Sequence, residues 1–202
     1  MKHIIPLTIC VALCACAETQ VIDLNNDKEV STMQNVMELE YRDWTNTAEK
    51  MTKSMINSGV LNKTPKPVIA IADIKNDTAQ RFDTDILTKK IRTTLVNSGK
   101  AQIATNYSGE DSTSNNVRAN LRNDSEYDQK TIAERGTLIA PNMSLSGKML
   151  QRNLKLESGW FSSVDTRVEY YLQLTLTDLK TGLSVWEDEE PIIKQGDHAP
   201  TW

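Results

Sequence analysis

The chain has 202 residues, enough for one domain with a short surplus. Hydrophobic residues make up 39% and charged residues 25%, so the chain can bury one real core and general disorder is excluded. A formal net charge of −4 excludes a broad basic face for nucleic acid, and a mean hydropathy of −0.46 excludes a polytopic membrane protein.

All three cysteines, Cys10, Cys14 and Cys16, lie in the first sixteen residues. Met1-Lys2-His3 opens on a positive charge, and Ile4 to Ala15 then runs almost without polarity. That layout is a secretory signal rather than a fold element. Its end, Leu13-Cys14-Ala15-Cys16, resembles the bacterial lipobox, with Cys14 where Ala or Ser is more usual. The match implies cleavage before Cys16 and acylation of its thiol, the strongest ordinary nucleophile once ionised. A cleaved signal with incidental cysteines is the plainer alternative. Ala17, not Asp, follows Cys16, which by resemblance to Gram-negative lipoproteins implies sorting to the outer membrane. Residues 1–15 are thus expected to be removed, 16–30 to form an acylated cysteine and short tether, and 31–202 to fold. Without Lys2 the 23 basic residues become 22 against 27 acidic, a net of −5. Fourteen tether residues reach at most ~50 Å.

A long helix is expected from Ser31, where Ser31 and Gln34 have capping-box spacing. Met33, Met37, Tyr41, Trp44, Ala48, Met51 and Met55 recur at steps of three and four, and Gly59 supplies a stop. Core packing explains this methionine stripe better than an adaptable partner groove. Val68 to Ala72 reads as a buried strand, and Asp73 to Asp83 as a loop. A second helix is predicted over Thr84–Ser98, with Leu87, Ile91 and Leu95 inward and Lys89, Lys90 and Arg92 outward. Ala101 to Ala104 is a short strand. Residues 105–124 are rich in Ser, Asn, Gly and Asp and read as a loop. A third helix is expected from Ser125 to Gly136, carrying Ile132 and Ala133 inward.

Met143, Leu145, Gly147 and Met149 alternate as a strand. The phase flips beyond Leu150, which predicts a bulge or a hairpin arm leaving the core. Val168, Tyr170, Leu172, Leu174 and Leu176 form the clearest half-buried strand. Lys180-Thr181-Gly182 turns the chain into Leu183 to Trp186. The fold class is therefore α/β: a single-domain sandwich with a mixed or antiparallel sheet of about four to five strands, flanked by helices.

Catalytic signals are sparse. The chain beyond Cys16 has one histidine, His198, near the end. No GxSxG elbow occurs, and Ser98-Gly99-Lys100 and Ser146-Gly147-Lys148 lack the upstream glycine of a phosphate loop. No cofactor, metal or enzymatic activity is expected. Glu187-Asp188-Glu189-Glu190 reads as a solvated charged edge that blunts sheet pairing rather than a calcium loop. Trp160-Phe161, at a predicted hairpin tip, either anchors a partner or folds back onto the core.

Four segments carry a family resemblance. They are Lys66–Ile71 leading into Ile74–Thr78, Asp83-Thr84 with Ile91–Lys100, Leu145–Lys148, and Leu176–Glu187. In that order the body resembles the LpoB-type outer-membrane lipoproteins, activators of class A penicillin-binding proteins, with a fold like the TolB N-terminal domain. The resemblance implies a non-catalytic periplasmic regulator of peptidoglycan biosynthesis. It would be anchored in outer-membrane lipid through acylated Cys16 and bind a class A synthase, without nucleic acid, as a monomer. The short tether without proline departs from the family pattern. Asn76, Asp77 and Arg81 in the first loop, and Tyr127 and Asp128 at the start of the third helix, are the candidate partner contacts. The alternative is a structural or secretion lipoprotein of the curli-channel kind. Its membrane hairpin would have to accommodate Arg152, Lys155, Arg167 and Glu169.

Overall fold

A computed structural model describes residues 37–106, 111–156 and 165–196. Every described residue belongs to one compact unit, 35–202. Cys16 and its lipobox, the Ser31–Gln34 spacing, Trp160-Phe161 and His198 lie outside the described residues.

Helix α1, Tyr41–Asn57, begins at Tyr41 and not at the expected Ser31. Its cap is local: the Glu40 N–H donates to Asp43 Oδ2 at 3.0 Å. Met37 and Leu39 are buried all the same, so the apolar spacing ran on through a non-helical segment. The Tyr170 hydroxyl donates to the Met37 carbonyl at 3.1 Å, and Gln80 brackets Leu39 by accepting from its N–H at 2.8 Å and donating to its carbonyl at 3.0 Å. Tyr41, expected inward, is 54% exposed. Trp44, Ala48, Met51 and Met55 form the buried stripe, and Trp44 packs on Phe82 with ring centroids 4.2 Å apart.

Strand β1, Val68–Ile71, is buried throughout, as its continuous β-branched run predicts. The expected loop 73–83 holds a further strand, β2, Lys75–Asp77. Helix α2, Asp85–Ser98, ends at Gly99 with φ 66°, a left-handed cap. Its Arg92, expected on the polar face, is buried, and desolvation lowers its pKa. Strand β3 is Gln102–Ile103.

The next stretch reverses two expectations. Helix α3, Ser112–Asn123, occupies the predicted loop, and the predicted third helix is a single 3-10 turn at Gln129–Thr131. Ile132 is half-buried and Ala133 exposed, so no apolar face pins a helix there.

Strands β4, Met143–Leu156, β5, Asp165–Asp178, and β6, Ser184–Gly196, form an antiparallel meander. The sheet has six strands in the order β3-β1-β4-β5-β6, with β2 also beside β4. The extra strand over the expected four to five is β2, which pairs in parallel with Lys148 to Leu150. Registry between β4 and β5 is unbroken from Met143↔Asp178 to Leu156↔Asp165. The phase change beyond Leu150 is therefore the hairpin-arm alternative; the ladder's irregularity falls between β5 and β6 at Leu176/Thr177.

Helices α1 and α2 cover one face of the sheet. Leu145, Met149, Leu172, Leu174 and Leu176 point into that layer and are at most 1% exposed. Each such side chain contributes about 1.5–3 kcal/mol on burial. The acidic run lies on β6, at the sheet edge as expected, yet it is not wholly solvated. Ser54 donates to Asp188 at 2.7 Å, Lys50 pairs with Glu190, and Lys194 reaches Asp43 at 2.6 Å. These contacts tie the edge strand to α1.

Candidate functional site

Asn76 does internal work. Its Nδ2 donates to the Gln80 carbonyl at 2.9 Å, while its Oδ1 accepts from the Thr78 N–H at 3.1 Å and the Thr78 hydroxyl at 2.7 Å. That is an Asx-type latch closing the turn after β2, and it positions the Gln80 that grips Leu39. Asp77, opposite Leu150 in the ladder, and Arg81 are exposed. Asp128 also does local work, because its Oδ1 accepts from the Lys130 N–H at 3.0 Å and caps the 3-10 turn. Tyr127 is 53% exposed.

The two groups sit in different places. Asn76, Asp77 and Arg81 flank the far half of β4, whereas Tyr127 and Asp128 lie in the crossover from β3 to β4. Among the described residues no hydrogen bond or ion pair joins them.

Two further surfaces escaped the sequence reading. On the sheet face away from α1 and α2, Glu169 is buried beneath Arg152, at 3.9 Å, and Arg167, at 4.0 Å. The Tyr171 hydroxyl donates to Glu169 at 2.6 Å, and this bond to a carboxylate raises the Tyr171 pKa. The available signal was registry, since Arg152 stands directly opposite Glu169. Between α1 and α2 an open cleft of about 600 Å³ is lined by Tyr41, Asp85, Ile86, Lys89, Lys90 and Thr93. Neither surface brings together a nucleophile, a base and an anion-stabilising donor in the way acyl or phosphoryl transfer requires. No group of three His, Cys, Asp or Glu suited to a metal occurs among the described residues, and none of their helices is long and apolar enough to cross a membrane.

A family model described as the peptidoglycan-synthase activator LpoB matches residues 43–192. The chain belongs to the LpoB family. The match runs from the first turn of α1 to the far part of β6, so it takes in every element of the sandwich and stops short of Cys16. Among solved structures, the LpoB C-terminal domain from Escherichia coli is 14% identical with a TM-score of 0.42, covering 74% of this chain and 98% of that one. The corresponding domain from Salmonella enterica is 16% identical with a TM-score of 0.43 and the same coverage. The lipoprotein GNA1162 from Neisseria meningitidis is 9% identical with a TM-score of 0.35, covering 67% of this chain and 88% of that one. The search of curated proteins finds no match. LpoB membership supports a regulatory role for this chain in peptidoglycan synthesis.

Proposed function

We propose that this LpoB-family protein is acylated at Cys16, held at the periplasmic side of the outer membrane, and binds a class A penicillin-binding protein directly through residues 31–202. The family match across the whole folded body carries this reading. The lipobox Leu13-Cys14-Ala15-Cys16 supports the anchor. The charged arm of the β4–β5 hairpin, with Arg152, Arg167 and Glu169 together on one face, speaks for a water-exposed surface and against a lipid-facing hairpin of the curli-channel kind.

Activation on this reading is a population shift. The body binds the active conformation of the synthase more tightly than the idle one, with a coupling of about 1–3 kcal/mol. Asp77, Arg81 and Tyr127 are the sequence-derived contacts left free for a partner, because Asn76 and Asp128 are occupied in holding their own turns. The test is glycan polymerisation and cross-linking by the purified class A synthase of the same cell, with and without residues 31–202. A rate increase that follows saturable binding is expected; no binding to any such synthase sinks the reading. Fatty-acid labelling of the wild type and of Cys16→Ala tests the anchor, which requires label on the first alone.

A further inference from the structure

Four separate segments meet at one end of the molecule. The Lys63 ammonium lies 3.8 Å from Asp178. Lys100 donates to the Asn62 side chain at 3.2 Å, and the Gln102 N–H donates to the Pro67 carbonyl at 2.9 Å. The Leu179 N–H donates to the Asn142 carbonyl at 3.0 Å, and the Val68 N–H to the Asn142 side chain at 2.9 Å. These bonds gather residues 62–67, 100–102, 142 and 178–183 into one pole. Met37, where the described chain begins, lies beyond the opposite end of α1, some 25 Å away for 17 residues at about 1.5 Å each.

The pole has a composition of its own. It carries Lys63, Lys66, Lys100 and Lys180 against one acid, Asp178, in a chain whose net charge is −4. Asp178 is spent inside the β5–β6 turn: it accepts from the backbone of Lys180 at 2.9 Å and of Thr181 at 3.2 Å, which lowers its pKa. Lys63 and Lys100 have partners inside the pole, Asp178 and the Asn62 side chain. That account does not reach Lys66, held between Pro65 and Pro67, or Lys180 at the turn tip. Both are exposed. In the same turn as Lys180, Leu179 is 48% exposed and Leu183 65%.

We infer that this pole is a docking surface for an acidic protein face with an apolar centre, and that the face belongs to the synthase. Exposed leucines in the same turn as Lys180, on a pole with three further lysines, match an apolar anchor with a charged rim. An anionic polymer would use the lysines and leave the leucines wet. A second copy of this chain would set lysines against lysines, which like-charge repulsion disfavours. The pole lies past the end of α1 opposite Met37 and is separate from the turn that holds Leu39. The inference rests on the synthase reading and adds a contact separate from Arg81 and Tyr127.

The experiment measures binding of residues 31–202 to the purified synthase for the wild type, Lys66→Glu/Lys180→Glu, Leu183→Ser, and Arg81→Ala/Tyr127→Ala, across a salt series. Circular dichroism checks that each variant is folded. The charge-reversed pair is expected to weaken binding by at least about tenfold at low salt, mainly through association rate, with a shallower salt dependence. Leu183→Ser is expected to speed dissociation. Wild-type binding with unchanged affinity in both pole variants overturns the inference while leaving the synthase reading intact. Loss of binding to phosphatidylglycerol vesicles with synthase binding preserved overturns it in favour of lipid, and loss of a self-associated species in Leu183→Ser overturns it in favour of a dimer. A wild type that binds no synthase removes the broader reading, and this inference with it.

Discussion

Gly147 is small because two neighbours leave no room. A Cβ built there would lie 2.5 Å from Leu174 Cδ2 and 2.9 Å from the Gln173 carbonyl oxygen across the ladder. Gly147→Ala is therefore expected to destabilise by about 1–3 kcal/mol through overpacking. Leu174→Ala alone is expected to cost about 2–5 kcal/mol. The double variant should cost less than the sum, because removing Leu174 relieves the closer clash; the carbonyl contact keeps the relief partial. Urea denaturation of the cycle measures this, and strict additivity would refute the steric account. Glu49 poses an electrostatic question at the same scale. Lys53 and Lys90 each approach its carboxylate at 2.6 Å and hold its pKa at about 2, below the ordinary 4.5. A pKa lowered on folding contributes stability above the unfolded value, and that contribution fades as the pH falls from 4.5 towards about 2. The carboxylate is about a third exposed, so the contribution is discounted to ~0.5–1 kcal/mol. Glu49→Gln should be less stable by that amount near neutrality, and the gap should close at about pH 2. A gap that persists in acid would assign the loss to packing instead.

Among the elements, β2 shows how a turn can govern its surroundings. Three hydrogen bonds from Asn76 close the turn, and the turn's Gln80 holds Leu39 just before α1. Asn76→Ala is expected to destabilise by about 1–2 kcal/mol and to speed amide exchange at Thr78 and Leu39, with β5 unaffected. Uniformly faster exchange would show that the latch is not local. The same elements show why some of the fold was legible and some was not. β5 was legible because one face is wholly buried and the other is polar and mostly half-buried, so burial wrote a period of two into Val168 to Leu176. β2 was illegible because Lys75-Asn76-Asp77 pairs through its backbone and buries little. α3 was illegible because its cap and its partners are polar: Asp111 accepts from the Ser114 N–H at 3.1 Å, and Arg118 donates to Thr137 at 2.9 Å. The methionine spacing misled at Met37, since burial does not require a helix. Of the candidate contacts, Asp77, Arg81 and Tyr127 are exposed, while Asn76 and Asp128 also hold their own turns. The lysine pole could not be read at all, because its four lysines come from three stretches of chain that only the fold unites.

At the scale of the whole molecule, the proposed reading has one sandwich delivered to a partner by a short leash. The two ends of α1 differ: Met37, just before it, meets Tyr170, and the lysine pole lies past its far end. Residues 17–30, at full stretch ~50 Å and less on average, then set how deep into the wall the pole can be presented. Anchoring raises the local concentration of the body near any synthase that reaches that depth, and it does so without changing a single contact. Deleting residues 20–30 from the acylated protein should therefore leave the solution affinity of residues 31–202 untouched and sharply reduce activation in cells. Replacing those residues with a Gly/Ser segment of equal length should restore activation, because reach and not sequence is what the tether supplies. Cross-link content of isolated cell walls reads the outcome. Full activation by the deleted form would show that the synthase comes to the outer membrane unaided, and reach would then play no part in the choice of partner.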